Sequence, residues 1–456
     1  MAQQAVFSQS KDILAGVLSI TPNSAYQGDI GVAVTIELDP AMAPPTFVNP
    51  LSAELGTMTG YSVSRNNYTV YASFDIPVSE AFGYKDVIVT FPGPTGNVIM
   101  TLDDGFEVLM TGTIDTVIYV DIDNLSGPWD GTSWASAFKN LQDGIDAANN
   151  AGGGNVWVAD GTYKTTQGTD RNAFIELKQA VFMYGGFNGT ETDTSQRDFV
   201  ANVTIISGDI GTPGDISDNA YHVIIPQSGC IMDGFTVTGG NANGETYARL
   251  GGGMYLDGVS PTIRNCIFTG NHAEDGGAIY IFHDSKPDIL HCIFDQNSAL
   301  LGGAVVCRVG GAANITFCDF TGNFSEWRGG AVHIDYGAYS SSPVTITNCT
   351  FTNNSTNGNG GGIYTDDLAS QYQGTYITVD NCQFTGNTAA FRGGGISNFN
   401  ENIFITISDC DFTSNTAGAG GNAIANDYKV NATISNCTFA SGQDVDSDAT
   451  CNVTIN

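Results

Sequence analysis

The sequence predicts an all-β protein: a right-handed parallel β-helix with an N-terminal capping helix, preceded by a small Ig-like β-sandwich. Three observations predict it. Two short phrases recur in phase through the second half of the chain. Glycine supplies 57 of 456 residues, well above the usual share of about 7%, and no Gly-X-Y period accompanies it. One segment alone carries apolar residues at helical spacing, whereas the others alternate or form short β-prone runs.

Residues 1–14 form an N-terminal segment with no assigned element. Residues 15–113 read as the sandwich, because 32–38, 68–74 and 86–91 alternate apolar with polar side chains. Turn clusters at Pro22-Asn23-Ser24 and Pro92-Gly93-Pro94 punctuate these runs. From residue 117 to 456 the solenoid is expected. It opens with a strand at Val117–Asp121 and a capping helix at about 133–148. Ser133 is the candidate cap, and Trp134, Phe138, Leu141, Ile145 and Ala148 lie on one side.

The first recurring phrase is Cys-x-Phe-x-x-Asn. It begins at Cys266, Cys292, Cys318, Cys349, Cys382 and Cys410, with Phe268, Phe294, Phe320, Phe351, Phe384 and Phe412 two residues on. Cys437 starts a seventh copy, in which Gly442 replaces the Asn. The second phrase is Gly-Gly-small-aliphatic, as in Gly276-Gly277-Ala278-Ile279 and Gly329-Gly330-Ala331-Val332. A period of 26 to 33 residues without helices predicts stacked rungs, which place equivalent side chains about 4.8 Å apart. The cysteines and phenylalanines then become internal ladders. An apolar residue stands three before each Cys, so both point inward only if the chain bends between them. The residue before the Cys, most often Asn or Asp, suits that left-handed bend.

These paired phrases resemble the repeats of the chlamydial polymorphic outer membrane proteins. Val156-Trp157-Val158-Ala159-Asp160-Gly161-Thr162-Tyr163 and Tyr184-Gly185-Gly186-Phe187 resemble the opening rungs of large secreted bacterial β-helix proteins. Thr21–Gly28 and Asp104–Val108 resemble an IPT/TIG-like module, which implies a spacer or docking unit. The solenoid resemblance implies the pectate-lyase-like superfold and a surface-displayed adhesin. The β-barrel translocator of the chlamydial proteins has no counterpart in these residues. The expectation is therefore a fragment, or a C-terminal edge that meets another chain.

Charge narrows the partners. Acidic residues number 47 against 15 basic, a net charge of −32, which leaves no footprint for nucleic acid or anionic lipid. No apolar run reaches membrane-spanning length, and residues 1–7 lack the character of a signal peptide. The expected localisation is secreted or bacterial cell surface, as a mature chain.

After each Gly-Gly phrase the side chains should alternate, which points Tyr255, Tyr280, Phe282, His333, Tyr364 and Phe399 outward as a candidate ligand-binding face. Arg308, Asp335 and Asp366 fall on three consecutive rungs of that face. A carboxylate pair beside an arginine suits glycoside chemistry, so these three are the candidate catalytic residues of an alternative reading. The motifs that the superfold's lyases and galacturonases use are missing. Asp121, Asp123 and Asp130 gather oxygen ligands within ten residues and are a calcium candidate; no other cofactor is indicated. The seven ladder cysteines are expected as buried thiols, with Cys230, Cys307 and Cys451 outside the column. The leading reading is a non-catalytic adhesin or binding stalk for an extracellular glycan or protein. The rivals are a carbohydrate-active enzyme or glycan-binding module, and a filament or sheath subunit that self-associates through its C-terminal edge.

Overall fold

The computed structural model describes residues 117–455 except 126, 336–342 and 368–373, together with 13–15, 17–21, 24–26, 32–38, 40, 43–44, 48–56, 58–74, 83–92 and 97–109. The chain divides into two compact units, Met1–Thr113 and Ile114–Asn456.

In the first unit, two sheets enclose one apolar core. Val17–Thr21, Val32–Leu38, Thr69–Phe74 and Tyr61–Asn66 form one sheet, with antiparallel pairing throughout. The other is built around the antiparallel pair Gly83–Pro92 and Asn97–Leu109. Alternation explains the core: Val34, Ile36 and Leu38 from one sheet meet Val87, Val89 and Phe91 from the other.

The second unit is a parallel β-solenoid of stacked rungs. Among the described residues its strand pairings are all parallel, and its strands run in four sheets of twelve, ten, seven and ten. One rung shows the plan. Asp288–Leu290 lies in the first sheet, Ile293–Asp295 in the second, Ser298–Leu301 in the third and Val305–Arg308 in the fourth. The expected bend before each cysteine is present: Asn265, His291, Phe317, Asn348, Asn381, Asp409 and Asn436 all have φ between +49° and +55°. It turns the chain from the first sheet into the second and keeps both apolar positions inward.

Register then stacks like on like. Phe268, Phe294, Phe320, Phe351, Phe384 and Phe412 pair in sequence, with ring centroids 4.7 to 5.3 Å apart. The cysteines stand in single file, and along the middle of the file the backbone N–H points at the next sulfur: Cys292 to Cys318 at 3.4 Å, Cys318 to Cys349 at 3.4 Å, Cys349 to Cys382 at 3.5 Å. All ten thiols are free. Inside the next corner the asparagines form a hydrogen-bonded column. The Nδ2 of Asn297 donates to Asn323 Oδ1 at 3.1 Å and to Phe268 O at 2.8 Å, and each neighbour repeats the pattern. Where the seventh copy carries Gly442, Gln443 Oε1 takes the place of the missing asparagine oxygen and accepts from Asn415 Nδ2 at 3.0 Å.

The Gly-Gly phrases have a steric cause. Gly329 has φ +64°, and a Cβ on Gly330 would lie 2.1 Å from the carbonyl oxygen of Gly361 on the next rung.

The helix differs from its expected bounds. It runs Leu141–Asn150 (α1), and Asn140 caps it by accepting from Gln142 N at 2.8 Å. Trp134–Ser136 form a separate 3₁₀ turn, and the side chain of Ser133 makes no cap. The interruption comes from tertiary pairing: Phe138 bridges Val120 as extended chain, and Trp134 packs edge-on against Tyr119 at 4.8 Å. Leu141, Ile145 and Ala148 are buried in the solenoid core, where α1 packs across the first strands.

Candidate functional site

The fourth sheet carries the residues singled out for chemistry. Its strands Val305–Arg308, Val332–Asp335 and Ile363–Asp366 put Arg308, Asp335 and Asp366 in one column, and Val306, His333 and Tyr364 in the adjacent one. Tyr255 and Tyr280 extend the second column and stack at 6.1 Å. Geometry thus brings together the residues that alternation selects.

Their environment differs from the solvated face expected of them. Tyr255, Tyr280, His333, Tyr364, Asp335 and Asp366 are all buried, the last with no exposed surface. Only Phe399 is exposed, and Phe282 is half-buried. The cause lies at the Gly-Gly corner, where the third sheet passes into the fourth. There three of the residues that directly precede a glycine pair reach over the outward face. Arg328 Nη1 bonds Asp366 Oδ2 at 2.7 Å, and its guanidinium lies 5.1 Å from the Tyr364 ring. Asp275 reaches Arg308 Nη1 at 3.1 Å, while Arg308 Nε contacts Asp335 Oδ2 at 3.3 Å. Farther along, Arg392 Nε meets Asp427 at 2.8 Å. The corner is a crease that packs its own outer surface. Arg328, Asp275 and Arg392 were not singled out in the sequence; their signal is their place directly before Gly329, Gly276 and Gly393.

Burial sets the charge states. It pushes the Asp335 carboxyl up to about 8, against the opposing pull of Arg308, with the Asp366 charge adding to the rise. Burial also lifts Asp366, to about 6, and Arg328 holds it below its neighbour. His333 is driven well below its ordinary range, first by burial and then by Arg308 and Arg328. At neutral pH the crease therefore holds a carboxylic acid, a carboxylate and a neutral imidazole. One acid and one base side by side is the composition of a glycosidase pair. Access is what it lacks. Asp335 Oδ1, Asp366 Oδ1 and both nitrogens of His333 are buried, and they find no hydrogen-bond partner among the described residues.

The calcium candidate is not assembled. Asp121 Oδ1 accepts from Asp123 N at 2.9 Å, and Asp130 Oδ1 is taken up by Thr132 N, Thr132 Oγ1 and Ser136 Oγ at 3.0, 2.7 and 2.6 Å. These carboxylates tie local turns, which lowers the Asp130 pKa through the Ser136 and Thr132 bonds. Among the described residues no three His, Cys, Asp or Glu side chains are placed to hold a metal ion.

The ladder cysteines are apolar packing. Burial raises the thiols of Cys266, Cys318 and Cys382 well above their ordinary value, and those of Cys230 and Cys307 to about 12.

Two segments, residues 265–281 and 348–366, match the family model described as the Chlamydia polymorphic membrane protein repeat. The chain carries repeats of that type. Each polymorphic membrane protein repeat holds the bend residue, the Cys and Phe of the ladders, the ladder Asn and the Gly-Gly corner, and the second ends on Asp366. No curated protein and no solved structure matches the chain. Among the described residues no helix is long and apolar enough to cross a membrane.

Proposed function

We propose that this chain is a non-catalytic binding stalk displayed on a bacterial surface, an adhesin-like rod in the pectate-lyase-like superfold, with its N-terminal β unit serving as an Ig-like spacer. One observation supports the reading above others: the Cys, Phe and Asn ladders, two of whose rungs match the polymorphic membrane protein repeat, run unbroken, so the repeat residues are consumed by packing and the outer faces away from the crease remain for recognition. Proteins with these repeats are named for the bacterial membrane, which supports display. The partner is an extracellular glycan or protein.

The Asp335 and Asp366 pair favours a second reading, a carbohydrate-active enzyme. Burial of both reactive oxygens argues against it. Two measurements test the proposal. Antibody against the chain should label intact producing cells, and labelling only after lysis removes the display role. Asp335→Asn and Asp366→Asn should leave ligand binding intact; glycan cleavage by the native chain that either change abolishes would establish the enzyme instead.

A further inference from the structure

The outer face of the first sheet carries a groove unrelated to the crease. One column reads Tyr376, Phe404, Asn431, Asn452 on successive rungs. The column beside it reads Thr378, Thr406, Thr433, Thr454 in the same register. Tyr376 and Phe404 stack nearly parallel, 4.8 Å between centroids and 8° between planes. The aromatic column ends there, because the next two rungs carry the shorter Asn431 and Asn452. One face of the Phe404 ring thus has no ring partner among the described residues, and the side chain is 37% exposed. The resulting groove is about 410 Å³, inside the range of roughly 300–1,000 Å³ typical of small-ligand sites.

We propose that this groove binds a neutral, extended β-1,4-linked glycan lying along the solenoid axis. Charge selects neutrality: the chain carries a net −32, yet Tyr376 is the sole ionisable side chain among those described in the groove. An anionic chain finds no cation there, and a cationic one finds no carboxylate. Shape selects the sugar. The free face of Phe404 offers an apolar platform for the C–H face of one pyranose. Beside it, Asn431 and Asn452 present amides, and Thr406, Thr433 and Thr454 present one hydroxyl per rung. Rungs recur at about 4.8 Å, close to the advance of one sugar in an extended β-linked chain, so a chain that stacks one sugar on Phe404 carries the next two past the Asn431–Thr433 and Asn452–Thr454 pairs. The inference names the ligand class for the stalk proposed above and rests on that role.

Isothermal titration of the purified full chain with cellohexaose tests it. Saturable binding is expected. Phe404→Ala should weaken it by about tenfold or more, as loss of a central aromatic anchor does, and Asn431→Ala by a smaller factor. Trp327→Ala, which removes an aromatic side chain 60% exposed on the third sheet, should change nothing. Absence of binding, or unchanged affinity in a Phe404→Ala chain whose thermal unfolding is native, overturns the assignment. Intact-cell labelling separates the two proposals. A displayed chain that fails to bind loses the groove and keeps the stalk role, and a binding chain never found outside the cell loses the role and keeps the groove.

Discussion

Asp335 is held against its own chemistry. In the unfolded chain its carboxyl loses its proton near pH 4, whereas in the folded crease it keeps the proton to about 8. Between those values the native state binds a proton that the unfolded state has released, so stability falls as pH rises through the window. Asp366 adds to the fall between about 4 and about 6. Asp335→Asn keeps the shape and removes the titration. Urea unfolding should show the variant more stable than the parent by roughly 1–3 kcal/mol at pH 8.5, with the gap closing toward pH 4. Equal stabilities at pH 8.5 would show that the carboxyl ionises freely in the fold. The column Arg308, Asp335, Asp366 was legible in the sequence, because the Gly-Gly phrase fixes the phase of the strand that follows. Burial was not. It depends on Arg328 and Asp275 folding back across a corner, a tertiary event with no period of its own.

At the level of the rung, the asparagine column and the glycine corner do different work. Asn323 Oδ1 accepts from Asn297 Nδ2 at 3.1 Å, and its own Nδ2 satisfies Phe294 O at 2.8 Å and Asn354 Oδ1 at 2.9 Å. Asn323→Ala leaves a buried donor and a buried carbonyl unpaired, which should cost about 2–4 kcal/mol in chemical denaturation. A loss under 1 kcal/mol would mean that water enters the corner. Gly330→Ala should be worse, since its Cβ would meet backbone at 2.1 Å and the rungs would have to separate. Failure to reach a folded state, or a drop of more than about 4 kcal/mol, is expected by circular dichroism. Rung geometry was readable because three signals agree: apolar residues three apart, a bend-prone residue between them, and a phrase in fixed phase. The helix was less so. Apolar spacing runs back to Trp134, but Trp134 and Phe138 are spent on Tyr119 and Val120, and α1 starts only where Asn140 caps it.

Across the whole solenoid, ladder packing decides the fate of the thiols. A protein shown to the outside of a cell meets oxidants, and neighbouring ladder cysteines have backbones about 4.8 Å apart, within the Cα range of a disulfide. Three features oppose the bond. The side chains point the same way down one column, burial disfavours the thiolate at Cys266, Cys318 and Cys382, and reagents cannot enter a packed core. Eight of the ten cysteines are buried; Cys437 and Cys451, at the last rungs, are partly open. A chromogenic disulfide reagent should therefore modify at most two of the ten thiols in the native chain, and all ten once guanidinium unfolds it without reductant. Fast native reaction beyond two would show that the column is not sealed. A shortfall in denaturant would show that ladder neighbours do oxidise, in which case the single file would be a store of cross-links rather than a run of small apolar side chains.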